Sequence, residues 1–518
     1  MLSITAIVAL CIVPYVIYKY IIYPAFISPL SKIPNAHSSS PFSPLWILIK
    51  RFRDEENRSI HAAHVKHGDI VRLGPNEISV NCVDDGIRTI YSGGFEKWRW
   101  YNQFDNFGVP CMFSTAESKP HSHRRRVIAN VYSKSYLQSS PEMHKISQTM
   151  IFSRILPVLE SAAIEQKPVE VLDLSHASTM DFITAFMFGL QNGSNLTQDV
   201  SARTEFLDTY RRRRPYRFWS SELPGLKSVL NKLGPIIEPK FVQEATNYIE
   251  NWTLTFTKAA EKSSTTKIPD EENIPTTTPV VYNQVHQSTL KSPFPYPQEL
   301  QIATELQDHL AAGHETSGIT LCYLFHELSM QPKLQEQLRE EFLTLSPTLE
   351  YPSSVSTPEL PSPQSLDALP LLHACLMETL RIHAAIPGPE PRITPSKPTS
   401  LAGSPPLPPG VRVSSQPYTL HRRADVFPDP EAWKPERWLE ASEEQKAEMG
   451  RWFWAFGSGG RMCIGSNFAM QEMKLITAAI YTNYRTHIID DEGIEQVDAY
   501  TAHPRANQLI LGFERVEK

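Results

Sequence analysis

The stretch FWAFGSGGRMCIGSNFAMQE, residues 453–472, sets one cysteine in a run of glycines between an aromatic cluster and an amphipathic segment. No other feature constrains the chain as tightly. Glycines ahead of a helix suggest a phosphate cradle, because small residues let backbone N–H groups approach a pyrophosphate. The spacing does not fit: Gly457 and Gly459 fill two positions of the dinucleotide fingerprint, the third falls on Met462, and no acidic residue follows at the required distance. The six cysteines (Cys11, Cys82, Cys111, Cys322, Cys375 and Cys463) form no C-x-x-C pair, which excludes a zinc knuckle or dithiol redox motif. They are also too few for a disulfide framework in a chain of 518 residues. Five read as small buried hydrophobes. Cys463 stands where the loop turns into a helix predicted over residues 464–481, whose free N–H groups favour a thiolate, and Arg461 adds positive charge nearby. Such a thiolate serves as a nucleophile or as a metal ligand.

As a nucleophile, Cys463 lacks an adjacent histidine base and oxyanion site. As the single protein ligand to a haem iron it suits a thin loop. Gly459 and Gly465 would let the backbone lie against a flat macrocycle, Arg461 would meet an anionic propionate, and Phe456 would pack beside the ring. Read as F-x-x-G-x-R-x-C-x-G, residues 456–465 resemble at every fixed position the haem-binding loop of the cytochrome P-450 superfamily. The resemblance extends along the chain in the same order. Ala312-Gly-His-Glu315-Thr316-Ser317 lies in a long helical pattern predicted over residues 297–330. By resemblance this helix crosses the haem, with Ala312 or Gly313 leaving room for dioxygen, Thr316 donating a hydrogen bond and Glu315 passing protons inward. Glu378-Thr-Leu-Arg381 puts two charges on one helix face, and the resemblance adds Arg437 from Pro435-Glu-Arg-Trp438 as the third member of a structural lock. His121 and Arg125, in HSHRRR, are similar to the pair that binds haem propionates, with His123 a competing donor, and Arg392 corresponds to a further propionate contact.

The fold class implied is mainly α with a small β-rich region, the cytochrome P-450 fold, holding haem b (iron protoporphyrin IX) through Cys463. With 41% hydrophobic residues the chain can bury a large core, and the motifs span it as one unit, residues 26–518. Ser/Thr/Pro-rich stretches at 261–298 and 344–365 read as flexible inserts. From Leu2 to Tyr18 there is no charge, so residues 1–25 are predicted to be a transmembrane anchor rather than a cleaved signal peptide. Lys19, Lys32, Lys50, Arg51 and Arg53 follow it, which places the catalytic domain on the cytosolic face of the endoplasmic reticulum membrane. The sequons at Asn57, Asn192, Asn195 and Asn251 would then stay unglycosylated. Arg211 to Arg214, with Phe218 and Trp219, read equally as a second membrane contact or as a solvated basic face.

No flavin or nicotinamide motif is present, so electrons are expected from an NADPH-cytochrome P-450 reductase, with cytochrome b5 as a further candidate partner; nothing points to nucleic acid. The net charge of -6 leaves docking to a local basic surface formed by His121, Arg124 to Arg126 and Arg461. The function implied is a monooxygenase acting on a lipophilic small molecule, a secondary metabolite or a xenobiotic by the chain's fungal-like layout, in a pocket lined by residues 98–114, Ala311 and residues 385–389. The rivals are a haem-thiolate isomerase or dehydratase that needs no reductase, and a non-catalytic haem-binding protein.

Overall fold

The structure, a computed structural model, describes residues 12–234, 237–265, 276–291, 295–352 and 358–517. Its organising element is the 32-residue helix Gln298–Ser329, about 48 Å long at 1.5 Å per residue. The helix ends just before Pro332, which opens the next helix, Pro332–Phe342, at a position where its missing N–H costs nothing. From Gln301 to Ser329 the long helix is buried apart from a few positions. It is flanked by Val171–Phe188, a helix with no exposed face, and by Ser466–Asn483, which follows the cysteine. Two helix axes approach closely only where side chains are small. A Cβ built on Gly318 would lie 2.3 Å from the His176 ring, and one on Gly313 would lie 2.8 Å from Ile183. Gly313 therefore serves helix packing, and the room expected beside it falls to Ala312 instead.

Two small sheets stand outside the helical body. One has four strands in the order β1 (Ile70–Gly74), β2 (Glu77–Val80), β5 (Arg412–Ser414) and β4 (Arg392–Ile393), with β2 and β5 parallel and the other pairs antiparallel. The other joins β3 (Val169–Glu170), β7 (Ile510–Arg515) and β6 (Tyr484–Asp490), all antiparallel. The large core belongs to the helices, and a second core of Ile78, Val413, Phe427 and Trp454 joins the first sheet to the approach of the cysteine loop. The mainly α class with a small β-rich region is thus the observed one.

Three expectations need correction or restriction. The anchor begins in residues 1–11, which lie outside the described residues; among the described residues no helix is long and apolar enough to cross a membrane. The insert at 261–298 is not a continuous linker. Lys240–Thr265 carries a helix into it, and a further helix, Val280–Lys291, buries Val281, Tyr282 and Val285 against the core, because those apolar residues at helical spacing outweigh the polar composition around them. Likewise Leu345, Leu349 and Leu360 of the second insert are core residues, while positions 353–357 lie outside the described residues.

Candidate active site

The cysteine loop is held from within. The Cys463 N–H donates to the Phe456 carbonyl at 2.9 Å, so the two ends of the motif close on each other. Gly459 adopts φ +71°, and a Cβ there would stand 2.5 Å from the carbonyl oxygen of Tyr91. The close passage of the Val83–Ser92 segment is enough to demand a glycine here. At Gly465 an added Cβ meets no atom of the chain. The Cys463 side chain is exposed, although much of the protein lies close around it. The desolvation this causes pushes the thiol pKa up, while the N–H groups of Gly465 and Ser466 at the helix start, and Arg125, pull it down. The helix terminus acts in the expected direction and is outweighed. The other described cysteines are Cys82, half-buried, and the buried Cys111, Cys322 and Cys375, whose thiols burial pushes up in each case; Cys11 lies outside the described residues.

Beside the loop lies a concentration of positive charge. His121 is buried, and its pKa falls to about 3 through burial and the fields of Arg461, Lys97, Arg125 and Arg392. It is therefore a neutral hydrogen-bond donor at pH 7, not a cation. Arg125 donates to the Met462 carbonyl at 2.6 Å, and Arg461 to the Thr115 carbonyl at 2.8 Å and to Ala116. Arg392 donates to the Tyr101 hydroxyl at 2.8 Å and pairs with Glu390 at 3.3 Å, and its Nε has no partner. Lys97 is buried between the rings of Tyr101 and Phe113 and donates to the Phe113 carbonyl. Glu390 lies close to Lys97 and Arg392 and Glu96 close to Arg461, while burial pulls the Lys97 pKa down, so the three arginines leave an excess of positive charge in a setting where unbalanced charge is costly. A thiol ligand facing a cradle with that excess fits a metal macrocycle bearing two carboxylates, so the residues present fit haem.

The long helix supplies the opposite wall. Between Gln301 and Ser329 its accessible residues are Asp308, Ala311, Ala312, Gly313 and Thr316, and Asp308, Ala312 and Thr316 stand at i, i+4 and i+8 on one stripe. The Thr316 hydroxyl rests on the Ala312 carbonyl at 2.8 Å. Tyr132 ties this helix to the one after the cysteine, through its hydroxyl to His309 Nδ1 at 3.0 Å and its carbonyl to Asn467 Nδ2 at 3.1 Å. Asp308 was not legible as a site residue; burial and the neighbouring Glu305 push its pKa up to about 7. Glu315 does not share the stripe, since consecutive helical residues point in different directions. It is buried and accepts from Arg214 at 2.8 Å, Thr501 at 2.9 Å and Tyr210 at 2.8 Å; against the cost of burial, the fields of Arg214, Arg217 and His314 and the bond from Tyr210 hold its pKa far below the ordinary carboxylate range. The arginine run thus turns inward: Arg211 pairs with Asp173 and Arg214 with Glu315, which removes both from any membrane-facing surface. The docking surface also shrinks, because Arg124 is buried against Glu305 at 3.2 Å and Arg461 points inward, leaving Arg126 and Lys119 exposed.

Glu378 and Arg381 form the expected buried pair, with Nη2–Oε1 and Nε–Oε2 distances of 2.8 and 2.9 Å, and Arg437 joins at 2.9 Å. Two donors that the spacing did not reveal complete the carboxylate: the Lys434 N–H and the Trp438 indole, each at 2.9 Å. Arg381 spends its remaining N–H groups on the carbonyls of His421, Pro430 and Ala432. The expected pocket residues Trp100, Phe104 and Phe113 do gather, in an aromatic cluster with Tyr101 and with Tyr500 from near the C-terminus.

Residues 38–510 match the family described as Cytochrome P450. The chain is 30% identical over 430 residues to cytochrome P450 monooxygenase avaI of Aspergillus versicolor, covering 80% of this chain and 94% of that protein. It is 26% identical over 466 residues to cytochrome P450 monooxygenase hkm5 of Aspergillus hancockii, covering 86% and 83%. A third relative, cytochrome P450 monooxygenase orf2 of Aspergillus niger, is 25% identical over 503 residues, 93% of each chain.

Proposed function

Since the chain belongs to the cytochrome P450 family and is a haem-dependent monooxygenase with a reductase as redox partner, we propose that it oxidises a lipophilic secondary metabolite at the face marked by Asp308, Ala312 and Thr316. The observation that carries the reading is that this stripe is the accessible part of a helix otherwise buried from Gln301 to Ser329. When bound, the haem supplies dioxygen activation and transfer of an oxygen atom. Cys463 is the residue that would ligate its iron, and Lys97, His121, Arg125, Arg392 and Arg461 are those that would hold its propionates. Thr316 positions a proton on the stripe, where its hydroxyl can rotate away from the Ala312 carbonyl. Glu315 is ionised where its partners hold it, so it can take up a proton and carry it to the stripe only after leaving Arg214, Thr501 and Tyr210, which makes it a gated carrier. Asp308, with a pKa of about 7 and partial access, is a standing acid two turns away, about 12 Å along the helix. The aromatic cluster of Trp100, Phe104, Phe113 and Tyr500 favours an apolar body on the substrate.

In this reading the electrons come from the NADPH-dependent reductase of the endoplasmic reticulum, and the protein is tethered there by one N-terminal span with its catalytic domain in the cytosol. What supports the tether is the uncharged run from Leu2 to Tyr18, together with apolar side chains exposed from Ile12 to Ile27 and on the outer face of Leu45–Phe52 at Leu45, Ile49 and Phe52. The test is reconstitution with reductase, NADPH and candidate metabolites. Turnover that requires both NADPH and oxygen supports the proposal, whereas product formed from a peroxide without reductase favours the isomerase reading. The Thr316 hydroxyl on the accessible face speaks for the first.

A further inference from the structure

The roof above the stripe holds more positive charge than its own carboxylates balance. Arg213, Arg214 and Arg217 converge on the Tyr210–Glu315 pair. Arg214 takes Glu315, whose oxygens are also occupied by Tyr210 and Thr501. The Arg213 guanidinium lies 4.8 Å over the Tyr210 ring, and that of Arg217 hydrogen-bonds Tyr210 and lies near Tyr500. Among the described residues neither Arg213 nor Arg217 has a carboxylate within 4.0 Å, although both are deeply enclosed. Glu250, the other acid close to Arg213, accepts the Phe107 N–H at 2.7 Å. Arg217 starts the short helix Arg217–Glu222, which packs against Arg99–Phe104, the segment carrying Trp100 and Phe104. Tyr500 in turn contacts both of those rings, at 5.4 and 5.3 Å, and lies within the field of Asp308 on the stripe. The spare guanidinium therefore borders the aromatic pocket.

We propose that Arg217, with Arg213 beside it, receives a carboxylate of the substrate, so that the substrate is a lipophilic organic acid whose apolar body lies among Trp100, Phe104 and Tyr500. A planar guanidinium binds a carboxylate through two parallel hydrogen bonds, and in an enclosed site such a contact is strong and orienting. It holds the acid end at the roof and leaves the far end of the molecule toward Thr316. The assignment rests on the monooxygenase reading and refines its substrate class.

The test uses the full-length, haem-loaded protein with two acid–ester pairs, laurate with methyl laurate and naphthaleneacetate with its methyl ester. Dissociation constants are measured by equilibrium dialysis and by the shift of the haem spectrum. At least one acid is expected to bind about tenfold more tightly than its ester. Arg217→Gln should erase that preference while leaving the ester affinity unchanged, and Arg217→Lys should keep part of it. Equal affinity for acid and ester, binding of neither acid, or a preference that survives Arg217→Gln together with Arg213→Gln overturns the assignment. So does loss of binding to phosphatidylserine vesicles in that double variant with the acid preference intact, which would place the arginines against lipid. The spectrum of the reduced carbon monoxide complex keeps the two failures apart: a thiolate-type band with no acid preference defeats only the substrate assignment, and its absence defeats the monooxygenase reading itself.

Discussion

Two buried glutamates, Glu378 behind the cysteine loop and Glu315 over the opposite wall, are each surrounded by arginines, and the two settings close differently. Around Glu378 every charge is answered: two guanidiniums, one indole and one backbone N–H meet its oxygens, and Arg381 spends its surplus donors on three carbonyls. Around Glu315 one guanidinium and two hydroxyls fill the carboxylate, while Arg213 and Arg217 have no carboxylate of their own. A cluster that balances internally has only a structure to hold. One left with spare donors beside a pocket suits an anionic group that arrives from outside, as the cradle of Lys97, Arg125, Arg392 and Arg461 would suit haem propionates.

The sharpest way to break this contrast is Glu378→Gln. It leaves two buried guanidiniums facing a neutral amide, and the loss should be about 3–5 kcal/mol, enough to stop accumulation of haem-loaded protein. Expression yield and haem content check it; a stable, haem-replete variant would mean the lock is dispensable. Glu315→Gln should cost less, about 2 kcal/mol, because the one amide oxygen can keep the Thr501 and Arg214 donors, the Tyr210 hydroxyl can turn to accept from the amide NH2, and Arg214 keeps Asn507 at 3.0 Å. Chemical denaturation of the two variants side by side ranks the clusters, and an equal loss would erase the distinction.

How much of this was legible in the chain depends on distance along it. The cysteine loop, the Glu378–Arg381 pair and the Ala312–Thr316 turn rest on spacings of a few residues, which a helix or tight loop converts directly into proximity. Tyr210, Thr501 and Tyr500 belong to no local pattern, since their roles come from packing segments more than a hundred residues apart, and Lys97 is set by rings 4 and 16 residues away in an irregular segment. Gly459 was legible as essential, but the demand made on it by the backbone of Tyr91 was not, because that segment lies far upstream. The arginine run misled in a different way. Four consecutive charges suggest a solvated face, yet the turn of the helix into Arg214–Tyr216 sends Arg214 toward Glu315 and Arg211 toward Asp173.

Acidity separates the regions further. Arginine partners depress the pKa of Glu378 and Glu315, so the stability they lend is present above about pH 4 and lost as pH falls below that range. Asp308 has the opposite sign. Burial raises its pKa to about 7, so the folded state holds a proton that the unfolded state has released, and stability declines as pH rises from about 4 to about 7. Asp308→Asn should therefore gain about 1 kcal/mol over the parent at pH near 8 and show little difference in acid, after discounting for its partial access to solvent. Thermal melts across pH decide it. A variant less stable than its parent in alkali would mean that the charged carboxylate is satisfied where it stands.

Thr316→Ala should leave stability almost untouched, and for that reason it is the most discriminating of these changes. The hydroxyl bonds only to a carbonyl of its own helix turn, a contact worth little net, and it belongs to neither arginine cluster. Haem content and the carbon monoxide spectrum should stay as in the parent. What the variant loses is a proton held at one position on the accessible stripe, because Asp308 is two turns away and Glu315 is tied to Arg214. NADPH oxidation should continue while product per NADPH falls severalfold and hydrogen peroxide rises to match. Glu315→Gln should instead slow NADPH oxidation and product formation together, since it affects supply and not placement. If Thr316→Ala keeps full coupling, proton placement comes from the substrate, and an acid anchored at Arg217 with a hydroxyl near its far end becomes the form to look for.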